Sequence, residues 1–426
     1  MTEPDIPDVS DCRCDVLIIG GGIIGATCAY ELAQRGVSVA VIEKGRIGHG
    51  CSYGNGGWIS PCVALPLAMP GMIWTATKWL VDPESPLYIA PRPSAELLRW
   101  LARFINSTRR SVMNQSTAAL VELAQHSLEV YKELDAKHPG EFAFTQKGLL
   151  AVAQTAEGVD GINEHMELVR AHGVLGRALD KNEVRELEPA ITSTSIAGGV
   201  YYPNEAHAEP LVTVEAVARY AQKAGARFFT GVEVFDFECR GRMIETLSTT
   251  SGRLQAKQVV VASGFWSNRL ARRIGLRVPV LPGKGYAVIV EPFEPKLKIP
   301  LLLQEPHVGV TPRANSVRLA GTLELVGPDD AKITTRRVDA IVRGARRFLD
   351  LREDPKIREV WRGLRPCTPD SVPIIGRSPK FDNLLIATGH QMLGLLSAPA
   401  TARLLADLLT GDDPPFDPRP FRPERF

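Results

Sequence analysis

Long apolar runs are missing from this chain. The nearest approach to a membrane span, Val63 to Val81, is broken by Pro66, Pro70, Gly71 and Lys78. A spanning helix needs roughly 18 uninterrupted apolar residues. Excess charge is missing too. The 50 Lys and Arg stand against 48 Asp and Glu, and no basic tract is interleaved with aromatics, so nucleic acid is not expected as a partner. Cysteine is sparse: residues 12, 14, 28, 51, 62, 239 and 367 are an odd, scattered seven, which is no disulfide framework. Cys12-x-Cys14 has no second Cys or His pair at zinc-like spacing, so no metal site is expected. Residues 1–13 are polar and acidic, which argues against a signal peptide. There is no obvious acid–base dyad, and His49 and His307 are weak candidates. What remains is ordinary globular composition, 44% hydrophobic and 23% charged over 426 residues, enough for two or three domains.

Against that plain background one stretch stands out, Gly20-Gly21-Gly22-Ile23-Ile24-Gly25. The apolar run Cys14 to Ile19 before it reads as a buried parallel strand. Ala26 to Gly36 after it reads as a helix closed by a C-terminal glycine. A second strand, Val37 to Ile42, ends in Glu43. This βαβ unit carries the dinucleotide fingerprint Gly20-x-Gly22-x-x-Gly25, with an acid at the expected distance of roughly 20 residues. Gly20 permits the turn, Gly22 lets backbone approach a pyrophosphate, and Gly25 lets helix and strand pack closely. The helix N-terminus offers unpaired N–H groups to phosphate. Glu43 suits ribose hydroxyls and disfavours a 2′-phosphate.

Further parallel elements are expected at 210–268 and 383–410. Between them lie helical stretches (94–135, 157–172, 180–188, 334–350) and antiparallel strands (278–281, 286–290, 308–311, 317–321). A hairpin is expected across Gln146-Lys147-Gly148, joining Phe142–Phe144 to Leu149–Val152. The last helix, 399–410, is expected to be capped near Ser397 with Pro399 in its first turn. This order predicts an α/β chain of two interleaved domains. A Rossmann-like nucleotide-binding domain with a parallel sheet takes 14–60, 195–270 and 355–412. A mixed antiparallel-sheet domain takes 61–194 and 271–354. Residues 1–13 and 413–426 are tails.

Four more segments join the fingerprint and Glu43: Cys51 to Pro61 (CSYGNGGWISP), Ala262 to Ser267 (ASGFWS), Gly363 to Gly376 (GLRPCTPDSVPIIG), and Gly389 to Gly394 (GHQMLG). With these, residues 14–412 resemble the FAD-dependent D-amino acid oxidase superfamily, and within it the bacterial D-amino acid dehydrogenase branch. The resemblance implies FAD, held by Gly20, Gly22, Ile23, Ile24, Gly25, Glu43 and Lys44; by Cys51, Ser52, Asn55, Gly56 and Gly57; by Val234, Gly264, Trp266 and Gly363; and by Gly389, His390, Met392, Leu393 and Gly394. Sarcosine-type relatives carry a cysteine for covalent attachment in the segment corresponding to 300–330. This chain has none there, so non-covalent FAD is expected. The resemblance places the substrate carboxylate on Arg365, an arginine able to present a bidentate fork. Tyr286, Tyr53 and His307 are candidate pocket residues, within a wall drawn from 53–75, 286 and 307–322. Glycine-type oxidases carry a second arginine where this chain has Met392.

The expected reaction is oxidation of a D-amino acid, with D-proline and D-hydroxyproline as cyclic candidates, to an imino acid and then a 2-oxo acid plus ammonia. No residue is assigned as a catalytic base, because positioning and cofactor chemistry carry such a reaction. By resemblance the electron acceptor is a quinone or respiratory-chain carrier, and partner subunits remain open. The place is the cytoplasm, with peripheral contact at the inner face of the bacterial cytoplasmic membrane left open. Three alternatives stand: a glycine- or sarcosine-type oxidase using oxygen, the flavin-bearing subunit of a heteromeric dehydrogenase, and an NAD-dependent dehydrogenase, since NAD and FAD share the fingerprint.

Overall fold

The computed structural model describes residues 9, 12–69, 87–90, 94–351 and 355–426. The N-terminal unit forms as its pattern dictates: strand β1 (Arg13–Ile19), helix α1 (Ile23–Gln34) and strand β2 (Val39–Glu43). β1 pairs in parallel with β2, Ile18 opposite Val41. On its other side β1 pairs in parallel with the end of β3 (Gly252–Val261), Ile18 opposite Val260. The strand Leu384–Thr388 lies beside β3, also parallel. These strands form the middle of an eight-stranded sheet. Both faces are covered, so the strands are apolar runs rather than alternating ones. α1 is buried over most of its length and packs against the helix Pro210–Lys223 and the last helix of the chain.

A nine-stranded mixed sheet is the second layer of the molecule. Its central strands are β4 (Leu281–Val290), β5 (Ser316–Leu325) and β6 (Ile357–Cys367). β4 runs antiparallel between β5 and β6 and is buried at every position. The strand expected at 286–290 is therefore the second half of one that begins at Leu281, and residues 278–280, expected as strand, lie outside it.

Three local expectations fail. The single helical stretch at 94–135 is two helices, α2 (Ala95–Ser107) and α3 (Arg110–Lys137), with the break at Thr108 and Arg109. No proline or glycine marks that break. The hairpin across residues 146–148 does not exist. Leu149–Ala153 pairs instead with Gly198–Tyr202 and Leu301–Leu303, and Thr145 makes an isolated bridge to His207. Alternation alone does not choose a strand's partner.

The last helix, α4 (Gly394–Thr410), begins at Gly394 rather than near Ser397, so Pro399 lies inside it. A proline there removes the N–H that would bond the carbonyl four residues back, that of Leu395. The Tyr131 hydroxyl, from α3, donates to that carbonyl at 2.8 Å. Tyr131 is 1% exposed, so water cannot take over this role. The proline is tolerated because a distant side chain supplies the donor. Among the described residues, no helix is long and apolar enough to cross a membrane.

Candidate functional site

The carboxyl ends of β1, β2 and β3 open onto a cavity of about 300 Å³. Gly20 and Gly22, the start of α1 at Ile23 and Ile24, Glu43, Lys44, Cys51, Ser52, Asn55, Val234, Gly264, Trp266, His390 and Gly394 all line it. Gly20 has φ +114°, and a Cβ on it would meet the Ala262 carbonyl oxygen at 2.6 Å. No other residue type fits that turn. At the head of α1, Ser52 Oγ accepts the Ile23 N–H at 3.0 Å. The Glu43 carboxylate accepts N–H bonds from Gly21 (2.7 Å) and Gly45 (2.8 Å). Lys44 Nζ stands 3.8 Å over the Trp266 ring. Arg46, Arg269 and Arg273 add positive charge to the lining. The last two lie four apart on the short helix Ser267–Arg273, a spacing that puts both on one helix face. Sequence reading passed over these three arginines, and that spacing was the available signal.

This lining fits FAD: a glycine cradle with no room for side chains, a helix N-terminus, cationic side chains for a diphosphate, and an acid at the end of β2. The N-terminus of α4 meets the same cavity at Gly394 and Leu395, adding the positive end of a second helix. His390, fully buried, bonds Thr401 Oγ1 at 3.0 Å. Burial lowers its pKa to about 3, so it is neutral at physiological pH. Burial also pushes the Cys51 thiol up to about 11, which leaves it protonated and unreactive.

β6 divides this cavity from a second one. Leu364 and Pro366 face the first, and Arg365 and Cys367 face the second, as the two-residue period of a strand requires. The second cavity, about 1420 Å³, is walled by Trp58, Leu65, Leu67, Trp100, Met113, Leu168, Leu302 and Leu323, with Met392 and Leu393 at one end. Asn55 lines both. Its side chain donates to the Met392 carbonyl at 2.9 Å and accepts the Gly57 N–H at 2.9 Å, tying the 51–57 loop to the 389–394 turn. Trp58 is fixed through Nε1 to Thr311 Oγ1 at 2.9 Å, which in turn donates to the Gly56 carbonyl at 2.7 Å.

Arg365 places a guanidinium on the second cavity. Its Nη1 donates to the Thr322 carbonyl at 2.7 Å, and no carboxylate pairs with it among the described residues. Burial pushes its pKa down from the usual arginine range. A half-buried cation without a counter-ion is partly desolvated at a cost, and an anionic ligand relieves that cost.

The sequence-predicted residues divide. His307 and Gly56 line the second cavity with Arg365. Tyr286 does not. It is 0% exposed, and its hydroxyl donates to Glu324 at 2.9 Å. In the motif Lys284-Gly285-Tyr286 the strand period turns both side chains away, and the glycine between them faces Arg365. Tyr53 is also redirected. Its hydroxyl donates to Glu359 at 3.2 Å, and it lines a separate pocket of about 90 Å³. Gly25, Gly57, Gly363 and Gly389 line neither main cavity, because their missing side chains serve packing. A Cβ on Gly363 would strike Trp361 at 2.0 Å, and one on Gly389 would strike Thr368 at 2.5 Å. Residues 70–75 of the expected pocket wall lie outside the described residues.

Known proteins give the same picture. Residues 15–408 match the model of the DAO family, described as FAD dependent oxidoreductase. The D-amino acid dehydrogenase of Vibrio cholerae is 31% identical over 94% of this chain and 96% of its own. The glycine oxidase structure from Geobacillus kaustophilus is 28% identical, with a TM-score of 0.78 over 97% of this chain and 99% of that one. The L-proline dehydrogenase from P. horikoshii shares the fold at 24% identity and a TM-score of 0.77, covering 97% of this chain and 98% of that one.

Proposed function

The chain belongs to the DAO family of FAD-dependent oxidoreductases, and on that premise we propose that it oxidises the α-carbon–nitrogen bond of a D-amino acid. The observation that carries this reading is Arg365, a half-buried guanidinium facing a large apolar cavity with no carboxylate partner among the described residues. A bidentate fork there holds the substrate carboxylate and aligns the molecule. The apolar walls take the side chain. FAD, when bound, would supply the two-electron acceptor for the α-hydrogen, which leaves as hydride, and the amine proton passes to water. The product is an imino acid, which water converts to a 2-oxo acid and ammonia. A D-proline-type substrate gives a cyclic imine. His390, neutral and bonded to Thr401, orients the turn and supplies no proton.

The cavity speaks against a glycine-type oxidase. Met392, Trp58 and Trp100 give it apolar walls far larger than a substrate without a side chain needs. The test is anaerobic reduction of the purified protein, followed by flavin absorbance, with paired D- and L-amino acids, both prolines, glycine and sarcosine. Bleaching by apolar D-acids is expected, with weak response to glycine. Bleaching by L-acids or glycine alone would reverse the assignment. FAD is proposed to be non-covalent, so acid precipitation of the protein should leave the yellow colour in solution.

The proposed acceptor is a quinone or respiratory-chain carrier, possessed by a membrane or a partner subunit. Leu98 and Ile105 on α2 are 68% and 51% exposed and lie seven residues apart on one face. Arg99, Arg103, Arg109 and Arg110 accompany them. Apolar side chains among cations suit the surface of an anionic bilayer. Co-sedimentation with vesicles containing anionic lipid is expected for the protein and lost in Leu98→Glu. Equal recovery of both proteins with the vesicles would remove α2 from the interface.

A further inference from the structure

Arg365 reaches its position across three strands. It belongs to β6, where it stands opposite Gly283 of β4. Its guanidinium lies over Gly285, two residues along β4. A Cβ on Gly285 would fall 2.1 Å from Cζ and 2.3 Å from both Nη1 and Nη2. The far end of the fork meets β5, where Nη1 donates to the Thr322 carbonyl. At that point β5 is irregular. Lys284 pairs with Glu324 and Tyr286 with Gly321, so Thr322 and Leu323 together oppose the single residue Gly285. This two-against-one count is a β-bulge. Thr322 has φ +63°, a left-handed backbone that is strongly disfavoured for a β-branched residue. Backbone strain of this kind persists only where the surroundings enforce it.

We propose that Gly285 and the Thr322 bulge are the positioning elements of the carboxylate-binding arginine. Gly285 supplies the bare backbone on which the guanidinium lies flat, and the bulged Thr322 turns a carbonyl to receive one end of it. The remaining N–H groups are then held toward the cavity before substrate arrives. The flanking pairs hold the bulge in register. Lys284 Nζ lies 3.0 Å from both Glu324 and Asp330, and Arg337 Nε lies 3.2 Å from Glu324, all on the face of β4 opposite Gly285. This inference rests on the reading of Arg365 as the substrate carboxylate site.

The test compares Gly285→Ala, Arg365→Ala and the double variant. The probes are benzoate, followed by its perturbation of the flavin spectrum, and the best D-amino acid of the reduction panel. In Gly285→Ala the benzoate Kd and the substrate KM are expected to rise about tenfold or more (1.4 kcal/mol for each tenfold), with flavin content unchanged and the rate at saturation changed far less than KM. In the Arg365→Ala background the same substitution should add less than about twofold, because no guanidinium remains to be displaced. An unchanged benzoate Kd in Gly285→Ala, or an equal loss with and without Arg365, overturns the proposal. If Arg365→Ala itself leaves benzoate and substrate affinity intact, it is the carboxylate-site reading that fails. Should Gly285→Ala not fold, Thr322→Gly keeps the question open to experiment. Glycine accepts φ +63° without strain, so the melting temperature should hold or rise. Benzoate should bind several-fold more weakly, because the bulge is no longer locked. Unchanged benzoate affinity there also overturns the proposal.

Discussion

In Arg365→Ala the KM for a D-amino acid is expected to rise about 100- to 1,000-fold, with FAD still bound and the melting temperature not lowered. The affinity loss corresponds to about 3–4 kcal/mol, the range measured when one partner of a desolvated charge pair is removed. The stability expectation follows from the same burial. Without substrate the guanidinium is a half-buried, partly desolvated charge without a counter-ion among the described residues, which opposes folding. Among the described residues its one hydrogen-bond acceptor is the Thr322 carbonyl. Removing the charge therefore costs binding without costing the fold, the usual trade between stability and activity. Arg365→Lys should recover little, since an ammonium cannot present two parallel donors while keeping the Thr322 contact. Substrate kinetics and thermal melting check both halves, and an unchanged KM would sink the role given to this residue.

Gly25→Ala should give a protein without FAD. The added Cβ would stand 1.9 Å from the Gly20 carbonyl oxygen. Both atoms belong to backbone that is fixed, one in α1 and the other in the turn out of β1. No rotamer relieves that contact, so α1 must move away from β1. Overpacking of this kind costs about 1–3 kcal/mol, and it displaces the helix N-terminus that faces the first cavity. The ratio of flavin to protein absorbance, read beside far-ultraviolet circular dichroism, separates loss of cofactor from loss of fold. A folded variant as yellow as the parent would mean that the cradle is not where the diphosphate lies.

What could be read from the sequence follows the range of the physics involved. β1, α1, β2 and the glycines between them were legible because their determinants lie within about 30 residues. Arg365 was singled out through the resemblance of its segment, and it stands half-buried on the second cavity with no carboxylate beside it among the described residues. Tyr286 was misread because a motif does not say which face of a strand is which, and one residue of phase exchanges them. The bulge at Thr322 was invisible, since it exists only in the register between β4 and β5. The helix start at Gly394 was placed too late because Pro399 normally belongs in a first turn. The donor that makes it acceptable inside the helix, Tyr131, comes from α3.

The order of the strands in the eight-stranded sheet bears on when the enzyme becomes active during its own synthesis. β1 and the glycine turn leave the ribosome before β3 does. β3, which flanks β1 on its other side, is made much later. The strand Leu384–Thr388 and α4, which complete the first cavity at His390 and Gly394, are made later still. A nascent chain stopped before residue 384 thus displays the dinucleotide fingerprint but lacks one wall of the chamber behind it. A chain truncated before α4 is therefore expected not to retain FAD, however much of the cofactor is supplied during its synthesis.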